Sequence, residues 1–286
     1  MNMVKSMMIK WILLSVLGAL LLLTLCSCFS RLFDIASLTD SIIRYENAGK
    51  YTKGGGSVAA DMEQLEINWI AGEVELVVYD GNEVTFAESS EQELKDAFEM
   101  RYYRDADTLY LQYAKSGKRK FGKLSKKLTV QIPRDLLLSQ IRINTVSAEI
   151  KLSETAARTL KIETVSGGIS LPNGREIDTL SIETVSGKVD FSAKSIVDLE
   201  VDTVSGTVTV QSKITRRAKL DSVSGNLTLL LPPDSSFSAR VDTVSGSFSS
   251  NFETVSDGHR RICAGGEVPF DIDTVSANIS IQPQQQ

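Results

Sequence analysis

Between residues 141 and 281, apolar and polar residues alternate in short runs that return at a nearly constant spacing. Aligned on their centres, the runs read INTVSAEI, IETVSGGI, IETVSGKV, VDTVSGTV, LDSVSGNL, VDTVSGSF and IDTVSANI. The central valines are Val146, Val165, Val185, Val204, Val223, Val244 and Val275, so the steps are 19, 20, 19, 19, 21 and 31 residues. Within one run, Leu160, Ile162 and Thr164 fall on one side and Lys161 and Glu163 on the other. A period of two means strand, and the runs are too short for helices. The small pair at Ser166-Gly167 marks a bend that glycine enters without a side-chain clash. A period near twenty residues predicts a solenoid, each coil burying its apolar edge on the next. The expected architecture is all-β, a β-solenoid (parallel β-helix or roll-like) of about eight coils with a small antiparallel β insertion, preceded by one transmembrane or signal helix. Parallel stacking at about 4.8 Å would extend seven coils roughly 29 Å.

Stacking places equivalent residues in rows. The inward row is Ile143, Ile162, Ile182, Val201, Leu220, Val241 and Ile272, followed two positions on by the hydroxyls of Thr145, Thr164, Thr184, Thr203, Ser222, Thr243 and Thr274. The outward row between them is Asn144, Glu163, Glu183, Asp202, Asp221, Asp242 and Asp273. Stacked like charges repel, and Lys161, Lys219 and Arg240 on the same face are placed to relieve them. A solvated charged face explains this row. A metal strip is the sharper alternative, with Glu163, Glu183, Asp202, Asp221, Asp242 and Asp273 as its candidate ligands, because hard cations prefer carboxylate oxygen.

Upstream, Leu65, Ile67, Trp69, Ala71-Gly72, Val74 and Leu76 follow the same grammar and predict a divergent opening coil, with Trp69 helping to close the end. Residues 83–133 break the period. Strands are expected at 84–87, 98–104, 108–113 and 127–132, a hairpin turn at Asp105-Ala106-Asp107, and a short helical piece at 90–97. The ectodomain thus divides into 61–140, the opening coil plus the antiparallel insertion, and 141–281, the repeat solenoid. Residues 257–266 read as a loop, 31–60 as a flexible tether containing Lys53-Gly54-Gly55-Gly56-Ser57, and 282–286 as a disordered tail.

The amino terminus sets the expected location. Lys5 and Lys10 precede an unbroken apolar run over 11–29, and Arg31 follows. Nineteen helical residues span about 28 Å, close to the thickness of the bilayer core. The positive flank puts the amino terminus inside and the β domain outside a cytoplasmic membrane. Residues 1–30 are either an uncleaved anchor or a lipoprotein signal, since Leu25-Cys26-Ser27-Cys28 resembles a lipidation signal in which Cys28 would carry the lipid.

Composition narrows the chemistry. A net charge of −5 argues against nucleic acid as a partner. The single histidine, His259, lies in a glycine-rich stretch, and Cys263 has no exported cysteine to pair with, so no catalytic residues, no disulfide and no cofactor are expected. Basic residues crowd one connection: Lys115, Lys118, Arg119, Lys120, Lys123, Lys126 and Lys127. They make either a solvated loop or an attachment to anionic lipid or acidic polymer.

The closing Gly265-Gly266-Glu267-Val268-Pro269 with Ile272–Ile281, and the opening Ile67–Val74, resemble the "putative adhesin" family of bacterial β-strand-repeat proteins, a domain of unknown function. The resemblance covers residues 61–281. It implies a right-handed or roll-like β-solenoid at the bacterial surface and supplies no catalytic residues. Relatives that accompany envelope-stress or regulatory genes imply a sensing or accessory role as an alternative. The expectation is therefore a non-enzymatic surface binding or scaffold protein, held by its membrane helix. Its partner would be a wall polymer or surface protein, and its oligomeric state stays open. An envelope polysaccharide enzyme is the distant third.

Overall fold

The computed structural model describes residues 43–118, 121, 123–154, 157–257 and 260–285. The anchor or signal at 1–30, Cys28, Arg119, Lys120 and His259 lie outside them. Among the described residues no helix is long and apolar enough to cross a membrane.

Period-two alternation folds into two-legged windings. One leg ends at the buried threonine of Thr-Val-Ser-Gly, and the next begins just past the glycine. Strand Ile169–Thr184 lies parallel to Val189–Thr203 and that strand lies parallel to Val208–Ser222, in register at Ile182, Val201 and Leu220. These three residues and the Leu180, Leu199 and Ala218 before them are at most 1% exposed. Each aliphatic side chain sealed this way is worth about 1.5–3 kcal/mol.

The hydroxyl row explains why the motif begins with threonine. The amides of Gly167, Gly187, Gly206 and Gly246 donate to the hydroxyls of Thr164, Thr184, Thr203 and Thr243 at 2.9–3.0 Å, satisfying the turn N–H in these four windings, whereas Ser222 donates to the Gly225 carbonyl at 2.8 Å and Thr274 Oγ1 is buried without a partner. The glycine is required by close approach. A Cβ on Gly225 would collide with the carbonyl oxygen of Gly206. Gly225→Ala is therefore expected to cost about 1–3 kcal/mol, read as an earlier thermal unfolding midpoint; an unchanged midpoint would contradict the close approach.

The windings do not stack in chain order at either end. Leu220 pairs with Ile272, and Ile272 with Val241, so the seventh repeat sits between the fifth and the sixth. The serine amides follow the same order: Ser276 donates to Val223 and Ser245 to Val275. At the amino end, strand Gln64–Tyr79 is parallel to Leu138–Leu152 on one side. On its other side it is parallel to Thr108–Gln112 and Lys126–Pro133. These two strands form a winding outside the opening one, not an antiparallel insertion.

Antiparallel pairing occurs one layer further out. Glu83–Ser89 covers Lys126–Pro133, and Arg101–Asp105 covers Thr108–Gln112. Where they are described, residues 257–266 are partly strand rather than loop throughout. Val255–Asp257 and Arg260–Cys263 form an antiparallel hairpin against Phe237–Arg240, capping part of the sixth winding. The long steps in the sequence are the lengths needed to build these caps, which hide the unpaired strand edges and apolar end of the stack.

Three local expectations also change. Residues 43–60 are built into the cap where they are described. Ile43 is buried, Thr52–Lys53 pairs with Arg101–Asp105 and Gly56–Ala59 pairs with Glu83–Ser89. The glycines that suggested flexibility permit contact, since a Cβ on Gly55 would meet the Phe86 carbonyl. The helical piece reduces to one 3-10 turn, Asp96–Phe98. The tail residue Gln284 donates to the Leu231 carbonyl at 2.8 Å, extending the strand Ile279–Pro283.

Candidate functional site

The outward row forms one continuous strip. Strand register brings Glu163, Glu183, Asp202, Asp221, Asp273 and Asp242 side by side in that order. Ion pairs relieve the stacked charge: Arg142 with Glu163 at 3.3 Å, Lys219 with Asp221 at 2.8 Å, and Arg240 with Asp242 at 3.3 Å and Asp273 at 3.7 Å. Burial, and then the neighbouring Asp221 charge, push the Asp202 carboxyl up to about 7. Burial also raises Glu183 and Asp273. Among the described residues no three acidic, histidine or cysteine side chains converge as a metal ion needs. This face stores electrostatic strain.

At its amino end the strip changes character. Asn68 aligns with Gln112 on one neighbour and with Asn144 on the other, putting a row of amides where carboxylates stand further along. Asn144 Nδ2 donates to Asn68 Oδ1 at 2.8 Å, and Asn68 Nδ2 donates to Glu66 Oε1 at 3.0 Å. Asn144 Oδ1 is buried without a donor. The amides floor a cleft of about 750 Å³, within the range of small-molecule sites. Four tyrosines rim it: Tyr45 and Tyr51 at 4.6 Å between ring centres, Tyr51 and Tyr103 at 5.4 Å, and Tyr103 and Tyr110 at 6.4 Å. Burial raises the Tyr51 hydroxyl above its ordinary pKa, opposed by its bond to Gln112, so it stays a neutral donor.

The sequence reading did not identify this cleft. Its signals were present: Asn144 is the uncharged exception in the outward row, Asn68 occupies the equivalent place in the opening coil, and Tyr45 and Tyr51 sit in the supposed tether.

The basic segment does not assemble as one surface among the described residues. Lys126 is fully buried. Its ammonium donates to Glu88 Oε2 at 2.6 Å and to the Phe98 and Tyr113 carbonyls, and it faces the Trp69 and Tyr113 rings at 4.7 and 4.2 Å. Burial pulls its pKa down to about 8 against the opposing Glu88 bond. It cannot reach a membrane, and is corrected from a surface cation to the centre of the amino-end cap. Lys127 is held by Glu73 at 2.8 Å and Glu75 at 2.9 Å. Lys118 lies over the Phe98 ring at 4.8 Å, while Lys115 and Lys123 are exposed. Trp69 is enclosed rather than terminal, donating from Nε1 to the Lys126 carbonyl at 3.1 Å. Cys263 is buried with its thiol pKa raised by desolvation, which disfavours the reactive thiolate.

The sequence profile of the Toastrack DUF4097 family matches residues 62–282. No curated protein matches the chain. Among solved structures, one titled "putative cell adhesion protein", from Clostridium sporogenes ATCC 15579, is similar at 14% identity and a TM-score of 0.35, over 82% of this chain and 100% of that one. Another, titled "Putative lipid binding protein", from Parabacteroides distasonis ATCC 8503, is similar at 16% identity and a TM-score of 0.42, over 81% of this chain and 97% of that one.

Proposed function

The chain belongs to the Toastrack DUF4097 family, and from that premise we propose that it is a non-enzymatic binding or scaffold module of the bacterial envelope. In this reading a stack of about eight windings stands outside the cytoplasmic membrane. It is held there by the apolar segment at 11–29, whether as an uncleaved helix or through lipid on Cys28. The partner is a wall polymer or a surface protein. The observation that carries the reading is the half-buried outward strip running into the amide-floored cleft, a long surface of the kind parallel windings offer an extended ligand.

The test is mild crosslinking of the full chain on intact cells, followed by recovery and identification of what is attached. Glycan or an envelope surface protein is the expected catch, together with cleavage of the β domain by protease added outside. Recovery of membrane kinase or regulator components alone would move the role to stress sensing. Protection from external protease would end the reading.

A further inference from the structure

We propose that the amino-end cleft binds uncharged saccharide units of an envelope polymer, an inference that names the ligand class for the binding role above and rests on it. The floor is a row of side-chain amides, Gln112, Asn68 and Asn144, stepped by strand register. Asn68 is engaged at both its oxygen and its nitrogen, so what the row offers a ligand is the Asn144 Oδ1 together with the second hydrogen of each amide nitrogen, a donor-and-acceptor combination that vicinal sugar hydroxyls and acetamido groups require. Asn144 spends its Nδ2 on Asn68, leaving a buried Oδ1 that no donor satisfies. An amide oxygen in that condition favours a hydroxyl that reaches it.

The walls suit the rest of a sugar ring. Tyr51 lines the wall with an aromatic ring of the kind that packs on the apolar C–H face of a pyranose, beside a Tyr103 ring already in contact with the Lys50 ammonium at 5.5 Å and with Tyr110, and tyrosine also offers a polar tip where apolar and wet surfaces meet. Charge points the same way. Arg142, which lines the cleft, is tied to Glu163 at 3.3 Å, and Glu66 accepts from the Asn68 amide, so these three charged side chains already have partners. Against Arg44 and Arg142, the lining carries Glu46, Glu66, Asp105 and Glu163, an excess of negative charge that disfavours phosphate- or uronate-rich chains. The cleft opens onto the long strip, so a polymer bound there can continue along the windings.

The experiment is calorimetric titration of the detergent-solubilised full chain with N-acetylchitotetraose, cellotetraose and, as an anionic control, tetragalacturonate. Saturable binding of at least one neutral oligosaccharide, tighter than the anion, is expected. Asn144→Asp should weaken it tenfold or more, and Tyr51→Ala likewise, while Lys194→Ala on a remote corner leaves it unchanged. If Tyr51→Ala lowers the melting midpoint, Tyr51→Phe keeps the ring, loses the Gln112-bonded hydroxyl and should weaken binding about threefold or more. No saturable binding of either neutral sugar at millimolar concentration overturns the inference. So does preference for tetragalacturonate, or wild-type binding by both Asn144→Asp and Tyr51→Phe. A cell-surface crosslink to protein without glycan would sink the saccharide assignment and leave the envelope-binding role standing; loss of both would sink both.

Discussion

Replacing Lys126 by methionine is expected to destabilise the fold by about 3–5 kcal/mol, a fall in thermal midpoint on the order of 10 °C, although the two side chains are similar in length. The cost comes from what stays behind. Glu88, whose carboxylate is 9% exposed, keeps the Met100 amide at 2.7 Å but loses its counter-charge. The Phe98 and Tyr113 carbonyls lose their shared donor. Desolvating an unpaired carboxylate costs more than a buried ion pair stabilises, so the two terms must be separated. Combining Lys126→Met with Glu88→Gln should restore most of the loss, because the glutamine carries no charge and still accepts from Met100. Thermal melts of the two single variants and the double variant form the cycle that measures this. A single Lys126→Met variant that melts with the wild type would mean the ammonium is not buried as described.

Asp202→Asn should act in the opposite direction, stabilising the domain at pH 8. The folded state holds the Asp202 proton up to about pH 7, whereas an ordinary aspartate releases it at 3.8. Between those values the folded chain binds more protons than the unfolded one, so stability falls as pH rises through the window and is level above it. At about 1.4 kcal/mol per pH unit the loss is on the order of 2–4 kcal/mol. Glu183 and Asp273, both raised by burial, add in the same sense. The groups facing Asp202 are Asp221, Lys219, Glu200 and Glu183, and Lys219 is already committed to Asp221 at 2.8 Å. An asparagine keeps the shape and removes the charge. The variant should therefore melt about 5–10 °C above wild type at pH 8 and converge with it near pH 4. A wild-type midpoint that rises steadily from pH 5 to pH 8 would contradict a strained carboxylate row.

The repeats were legible because their signals are local. The apolar-polar alternation around Ile162, Ile182 and Val201, the buried hydroxyl two residues later and the glycine at the bend each follow from the geometry of one winding, and all of them reappear in the structure. The strands at 84–87, 108–113 and 127–132 were also visible, as Glu83–Ser89, Thr108–Gln112 and Lys126–Pro133. The partners of those strands were not. Thr108–Gln112 reads as half of a hairpin and does pair with Arg101–Asp105, yet its other edge runs parallel to Gln64–Tyr79. Nothing in five residues distinguishes one edge from the other.

By itself the sequence determined that the chain is a stack of β windings, which residues face inward, and where each winding turns, since period, side-chain volume and glycine placement are properties of a single repeat. The order of the windings was decided only by the tertiary structure. Leu220, Ile272 and Val241 offer nearly the same surface, so the fifth winding accepts the seventh as readily as the sixth. What breaks the tie is the cap, because the paired strands Val255–Asp257 and Arg260–Cys263 must cover an outer edge. The cleft has the same origin: its tyrosines from residues 45, 51, 103 and 110 meet its amides only after the outer winding folds back past the opening one.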